Sequence, residues 1–444
     1  MKIPQAPPNF DEIFGKKFGP RQIELLDIVQ SPLVDGRYIY WDKLRRKKLP
    51  EGVENAKEWW GALKFRRLSQ QKLIKLDKTQ KHVFSFSIED PIYEKHLYID
   101  RHASGSIQMP VSIGETEMKK QFFVSSLIEE AITSSQLEGA SSTRRVAKAM
   151  ILNKRTPRDK SERMIMNNYR TMEFINKIKD EPLSKELIFE IHRLISTNTL
   201  DEEDQVGRFR NSDEDIVVQD ALTGKLLHRP PETELLDEQI STLCDIANLK
   251  NPDYFMHPVI RSIVLHFLMG YIHPFVDGNG RASRAIFYWS MLHHGYWLAQ
   301  YISISRILKN EQQRYAFSFL HTENDENDMN YFLVYHLDVI ERAILSLHKF
   351  VKQKAEQSIQ VAQELDHMNK FNYRQRELLR RAVQKPELPY TFKSHQTSHG
   401  IAYASARSDI LKLVEEGLLR QYKVGAAMHF LPVEGLKKLL KKKD

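Results

Sequence analysis

The sequence predicts a mainly α protein: a helical core with one projecting β-hairpin, an α+β region ahead of it and a winged helix-turn-helix behind it. Three observations carry that prediction. From Gly114 to about Lys354 apolar residues recur at helical spacing, as over Phe122 to Leu137, Lys160 to Lys179, Lys185 to Ser196, Glu232 to Leu249 and Pro258 to Tyr271. Inside that region Ile216-Val217-Val218-Gln219, a turn around Thr223-Gly224 and Lys225-Leu226-Leu227-His228 read as a short hairpin. Beyond Phe371, three helical stretches lead into two strand-like runs, Leu418 to Tyr422 and Met428 to Leu431, a helical trio closed by a hairpin.

The elements follow in order. Residues 1–110 form an accessory region, Pro-rich at first and then aromatic (Tyr38, Tyr40, Trp41, Trp59, Trp60), with alternation over His82 to Ile88 that reads as a strand. Residues 111–350 form the helical core, with the hairpin at about 207–231. A charged linker helix covers 351–370, and 371–444 form the winged-helix domain with a basic tail. At 444 residues, 41% hydrophobic and 28% charged, the chain has apolar material for two or three domains.

Composition narrows the class further. The single Cys244 excludes a disulfide framework and a cysteine-built zinc site, and fits a reducing compartment. The start, Met1 to Pro8, has no apolar stretch behind its charge, so no signal peptide is read. The longest apolar run, Ile263 to Phe275, carries His266 and His273 and falls short of the ~18 residues of a membrane span. A cytoplasmic protein is expected. Between Phe371 and Asp444 the lysines and arginines outnumber the acids by the chain's whole net charge of +8. A nucleic-acid partner would therefore be sought in that last domain, and a solubilising lysine tail is the plainer account. Arg407 and Lys412 on its third helix suit phosphate contact, while Asp409, Glu415 and Glu416 oppose it.

The chemistry concentrates in His273-Pro274-Phe275-Val276-Asp277-Gly278-Asn279-Gly280-Arg281-Ala282-Ser283-Arg284. Pro274 stops the helix before it, and a breaker-free apolar helix begins around Arg281. Gly-Asn-Gly then lies in a tight loop feeding a helix N-terminus, where amides stand unpaired and the dipole is positive. Two glycines permit positive φ and close approach of phosphate to the backbone. Arg281 and Arg284 leave one helix face and suit a polyphosphate. Asp277 can hold Mg²⁺ together with substrate phosphates. His273 is the nearby group that titrates near neutrality, hence the general base.

These twelve residues resemble the signature of the Fic family, His-x-Phe-x-Asp/Glu-Gly-Asn-Gly-Arg-x-x-Arg, at every specified position. The resemblance implies a helical core with a hairpin flap, and transfer of AMP from ATP to a hydroxyl of a target protein. It assigns His273 to deprotonating a Ser, Thr or Tyr, Asp277 to Mg²⁺, and Gly278, Asn279 and Gly280 to phosphate oxygens. Arg281 would meet the β-phosphate and Arg284 the γ-phosphate. Phosphorylating relatives carry Lys at the second glycine, so Gly280 favours AMP transfer.

A second segment, Ser134-Ser135-Gln136-Leu137-Glu138-Gly139, resembles the family's inhibitory Ser/Thr-x-x-x-Glu-Gly/Asn motif at the end of a helix spanning about 120–140. Ser134, Glu138 and Gly139 are its specified residues. It implies autoinhibition by a two-pronged pair between Glu138 and Arg284. The hairpin is expected to act as a flap on which an extended target peptide pairs. Tyr315 and Asn324 are the candidates for an adenine pocket. Automodification and self-association are further partners that the resemblance allows. The alternatives are a DNA-binding regulator with a sensing core, or the same site used for AMP removal or phosphocholine transfer.

Overall fold

A computed structural model describes residues 3–15, 19–104, 115–153, 155–220, 223–366, 370–384, 386–424 and 427–440. The chain is mainly α, and among the described residues its sheets are three antiparallel pairs of two strands. Its described residues divide into two compact units, one up to residue 347 and one from residue 348 onward.

The first unit is built around the helix Pro258–Ile272. It is apolar all round, with Val259, Ile260, Ile263, Val264, Leu265, Phe267 and Leu268 wholly buried, the pattern of a central helix rather than an amphipathic surface one. The helix Asn279–His293 returns beside it and is equally buried from Asn279 to Leu292 except at Gly280. Helices Glu115–Leu137, Lys160–Ile178 and Lys185–Ser196 pack around this pair. Side-chain caps open several of these helices: Asp159 accepts from Glu162 N, Ser184 from Leu187 N, and Thr143 from Val146 N ahead of Arg144–Leu152.

The aromatic N-terminal residues form a core of their own. Tyr38, Tyr40, Trp41, Trp59 and Trp60 are buried with Phe14, Leu44, Leu63 and, from the helix Asn330–Asp366, Tyr331. A buried ionic network joins this cluster to the segment before that helix. Lys64 pairs with Asp325 at 2.7 Å, Arg67 donates to the Tyr331 hydroxyl at 2.9 Å, Tyr331 donates to Asp325 at 2.8 Å, and the Tyr38 hydroxyl donates to Asp328. Every charge in the network has a partner, as burial requires. These residues therefore brace the core. The alternating stretch forms Val83–Phe86, paired antiparallel with Lys72–Lys75, and Ser85 also exchanges backbone hydrogen bonds with Asn327 and Met329.

The expected hairpin is present but short. Val218–Gln219 pairs with Leu226–His228, with a register shift between Val218 and Gln219, and Gly224 takes φ 64° in the turn. Among the described residues no helix is long and apolar enough to cross a membrane.

In the second unit, helices Tyr373–Gln384, Phe392–His399 and Tyr403–Glu415 precede the hairpin Leu419–Val424 with Ala427–Pro432. Leu378, Leu379, Ala382, Ile410, Leu413, Leu418 and Phe430 form its core. Tyr390 exchanges backbone hydrogen bonds with Phe430, at 2.8 and 2.9 Å, and so adds a third short rung to the hairpin. Gly400 (φ 60°) turns the second helix into the third, and Gly417 (φ 69°) ends the third.

Several histidines of the first unit are held neutral by burial. His192, His273 and His321 are lowered to about 4, and His336 to about 3. In the unfolded chain they titrate near 6.5. Between pH 6.5 and about 4 the unfolded chain then binds more protons than the folded one, so stability falls as pH falls, at about 1.4 kcal/mol per unit for each group. Urea midpoints should drop steeply from pH 7 to pH 5; a midpoint unchanged over that interval contradicts the buried neutral histidines.

Candidate active site

The site begins where the central helix stops. His273 caps Pro258–Ile272 in the left-handed conformation (φ 49°, ψ 56°), its N–H still bonded to Met269 O, and Pro274 prevents another turn. The loop is then closed on itself. Asn279 Oδ1 accepts from Phe275 N at 2.9 Å and its Nδ2 donates to Phe275 O at 2.7 Å. The His192 ring stacks on Phe275 with centroids 3.7 Å apart. His192 Nδ1 accepts the Gly207 N–H, which assigns the ring proton to Nε2, and that proton is donated to Asp277 O at 2.9 Å. Arg210, at the hairpin's stem, donates from Nε to His273 O at 3.0 Å, and its backbone N–H donates to Pro274 O at 2.8 Å.

The returning helix starts at Asn279, two residues earlier than the sequence suggests, with Gly278 as its N-cap at φ 86°. Positive φ is thus required of Gly278 alone. Gly280 lies in the first turn of the helix, and its lack of a side chain serves close approach: a Cβ there would stand 2.2 Å from Glu138 Oε1. The side chain of Asn279 is spent on Phe275, so only its amide can serve an anion. The amides of Asn279, Gly280 and Arg281 open the helix and have no intrahelical partner by construction. Asp277 Oδ1 accepts the Gly278 N–H at 2.5 Å, and the side chain is half exposed.

Both arginines are buried. Arg281 donates from Nη1 to Ile195 O at 3.2 Å, while among the described residues its Nε and Nη2 have no hydrogen-bond partner, Nη2 lying 3.6 Å from Asp277 Oδ2 in an ion pair. Burial lowers its pKa, with Asp277 opposing the shift. A buried guanidinium with donor atoms not spent on hydrogen bonds has the chemistry to receive an anion. Arg284 is engaged instead: Nε donates to Ser134 Oγ at 2.8 Å, and Nη2 to Ser134 O at 3.1 Å and to Glu138 Oε1 at 2.7 Å. Burial works against its charge, and Glu138, Tyr315 and Glu130 together more than compensate, so its pKa is raised. The contact with Glu138 is a single one, not the two-pronged pair expected, because Ser134 takes the Nε face. Ser134, Glu138 and Gly139 all sit at the end of Glu115–Leu137, where Gly139 takes φ 92° and Ala140 N returns to Ser135 O.

His273 Nδ1 lies 3.1 Å from Gly270 O, so Nδ1 carries the proton and Nε2 keeps its lone pair. Burial first, then the nearby His228 and Arg210, lowers its pKa to about 4. At neutral pH it is an unprotonated base.

Three residues of this site carry no sequence signal that we read. His192 and Arg210 set the loop. Glu130 is buried eight positions before Glu138 and accepts from the Tyr288 hydroxyl and Ser303 Oγ, both at 2.8 Å, and from Ser305; it fastens the Glu138 helix to the core. Of the two adenine-pocket candidates, Tyr315 has its hydroxyl 3.0 Å from His266 Nε2 with Arg284 beside it, and Asn324 lies by Tyr40.

A neutral histidine, the start of a buried helix and two buried arginines thus meet in one short stretch of chain. Residues 182–291 match the Fic/DOC family, a stretch that holds the whole motif. The chain is 26% identical over 229 residues to a protein adenylyltransferase Fic of Nematostella vectensis, covering 50% of this chain and 45% of that protein. A protein of the same name from Drosophila ananassae is 32% identical over 89 residues, 20% of this chain and 16% of that one. The chain thus spans less than half the length of the curated relatives it matches. A Fic family protein from Desulfovibrio desulfuricans G20 shares the fold at a TM-score of 0.53 and 17% identity, over 79% of this chain and 98% of that chain.

Proposed function

We propose that the chain is a protein adenylyltransferase held back by its own Glu138. The observation that carries this reading is the contrast between the two buried arginines: Arg281 has unanswered donors, and Arg284 is answered by a carboxylate from another helix. Triphosphate has the charge for both. The hydroxyl oxygen of the target attacks the α-phosphorus of ATP, forming the new P–O bond as the bond to the bridging oxygen breaks and pyrophosphate leaves. The hydroxyl proton passes to His273 Nε2. The amides of Asn279, Gly280 and Arg281 and the Arg281 guanidinium hold the departing phosphates, placing their charge where it develops. Asp277 offers the one half-exposed carboxylate beside them, the donor Mg²⁺ takes in phosphate sites, where it neutralises phosphate charge. The hairpin stem, through Arg210, sets His273 relative to the target.

The test uses the chain with Glu138→Gly and ATP labelled at either end. Label from the α-phosphate is expected on protein and label from the γ-phosphate is not. Transfer of γ-label, or of neither, overturns the reading.

Gly280 supplies a further check. In the same variant, Gly280→Ala places a methyl in the space that Glu138 Oε1 occupies. Nucleotide affinity measured by calorimetry should fall about tenfold or more, the loss of one charge-assisted contact. Affinity within twofold of the parent would remove Gly280 from the phosphate site.

A further inference from the structure

We infer that the second unit binds duplex DNA, through the first half of the helix Tyr403–Glu415 and the hairpin that follows it. The helices Phe392–His399 and Tyr403–Glu415, joined at Gly400, have the connection in which the second helix enters a major groove with its N-terminal residues toward base edges. On that half the exposed residues are Tyr403, Ala404, Arg407 and Ser408: small or polar side chains, one guanidinium and no acid. Asp409, which on the sequence alone opposes phosphate contact, is buried. It accepts from Arg374 at 2.7 Å, from Asn372 at 2.6 Å and from His395 at 3.3 Å, so its charge is answered inside the unit. Glu416 pairs with Lys370 at 2.6 Å.

The cations of the unit differ in their partners. Arg374, Arg380, Arg381 and Lys370 are paired with Asp409, Glu377 and Glu416, while Arg376 and Lys412 donate to the backbone oxygens of Phe371 and Lys370. Lys393, Arg407, Arg420 and Lys423 are exposed, and their side chains make no ion pair or hydrogen bond among the described residues. These four lie on the two helices of the helix-turn-helix and on the first strand of the hairpin, the parts that meet the backbone in such docking. The exposed acids Glu387, Glu415 and Glu434 fall in the turn before Phe392, the last turn of the third helix and beyond the second strand. Charge complementarity thus selects a polyanion, and the small-residue helix face selects one with a groove wide enough for a helix. This inference does not depend on AMP transfer.

The experiment titrates the full chain into a fluorescein-labelled 24-base-pair duplex of mixed sequence and follows anisotropy from about 50 to 200 mM salt. Binding is expected, with log K falling linearly in log salt. The double variant Arg407→Ala/Lys423→Ala should bind at least tenfold more weakly and show a salt slope smaller by about two. Replacing Lys441, Lys442 and Lys443 by Gln should leave most of the affinity. The inference is overturned by no binding at the lowest salt, by a double variant that binds like the parent, by loss only in the tail variant, or by preference for a single strand. An unchanged melting temperature in the double variant keeps a weakened result from reflecting misfolding.

Discussion

Replacing Glu138 by glycine should raise transfer of α-labelled AMP to protein by about ten- to a hundredfold. Arg284 is buried, and one of its three hydrogen bonds is the 2.7 Å contact with the Glu138 carboxylate. A hydrogen bond to a charged group is worth about 1.5–3 kcal/mol. ATP must displace it to gain the arginine, and each 1.36 kcal/mol is tenfold in rate or occupancy. Glu138 remains about a quarter exposed, so solvent screening places the effect toward the lower part of that range. The Ser134 contacts survive the substitution and keep the guanidinium in place. Glu138 also lies beyond the last helical residue, Leu137, and next to a glycine that already takes positive φ, so the backbone loses little. Glu138→Gln separates charge from shape: it should release less activity than glycine if the amide still bonds Arg284. A Glu138→Gly chain no faster than its parent would show that the contact is no brake.

The residues of this site were legible in the sequence to different depths. His273, Asp277, Arg281 and Arg284 stood out because a helix breaker, a helix start and two cations at i and i+3 coincide within one turn of chain. Those are local rules, and the structure places all four residues around one helix N-terminus. The reason for Gly280 was not local. It was expected to supply positive φ, whereas it is helical and is open because a carboxylate from another helix comes close. The two-pronged geometry expected of Glu138 failed for a similar reason, since only the tertiary arrangement shows Ser134 already seated on Nε. His192, Arg210 and Glu130 were invisible because their work is long-range: each fixes a segment tens of positions away or more, and no periodicity records such a contact. The same holds for Asp409, which reads as a repulsive surface charge until its three partners are seen.

Removing His273 in the released Glu138→Gly chain should lower the transfer rate by about 10²–10⁴-fold, the usual contribution of a positioned base, while nucleotide affinity stays within a few fold. The split follows from the proposed roles, in which the amides and arginines would hold phosphate and His273 would take the hydroxyl proton. A parallel loss of affinity would instead mean that the residue only shapes the loop. The pH profile gives a readout that a shaping role would not move. With its pKa lowered to about 4, His273 is unprotonated throughout the neutral range, so kcat/KM, which reports the free enzyme, should be flat from pH 8 to pH 6. Activity should fail only as pH approaches the folded value, where the ring binds a proton and can no longer accept one. Glu138 is among the charges that raise that pKa, so the released chain should show its acid limb no higher than the parent's. Because the same acidification weakens the fold, the assay must be brief and paired with a fluorescence check that the chain is still native. A limb at about 6.5, the value of a solvated imidazole, would mean that the base is not the buried histidine at the end of the central helix.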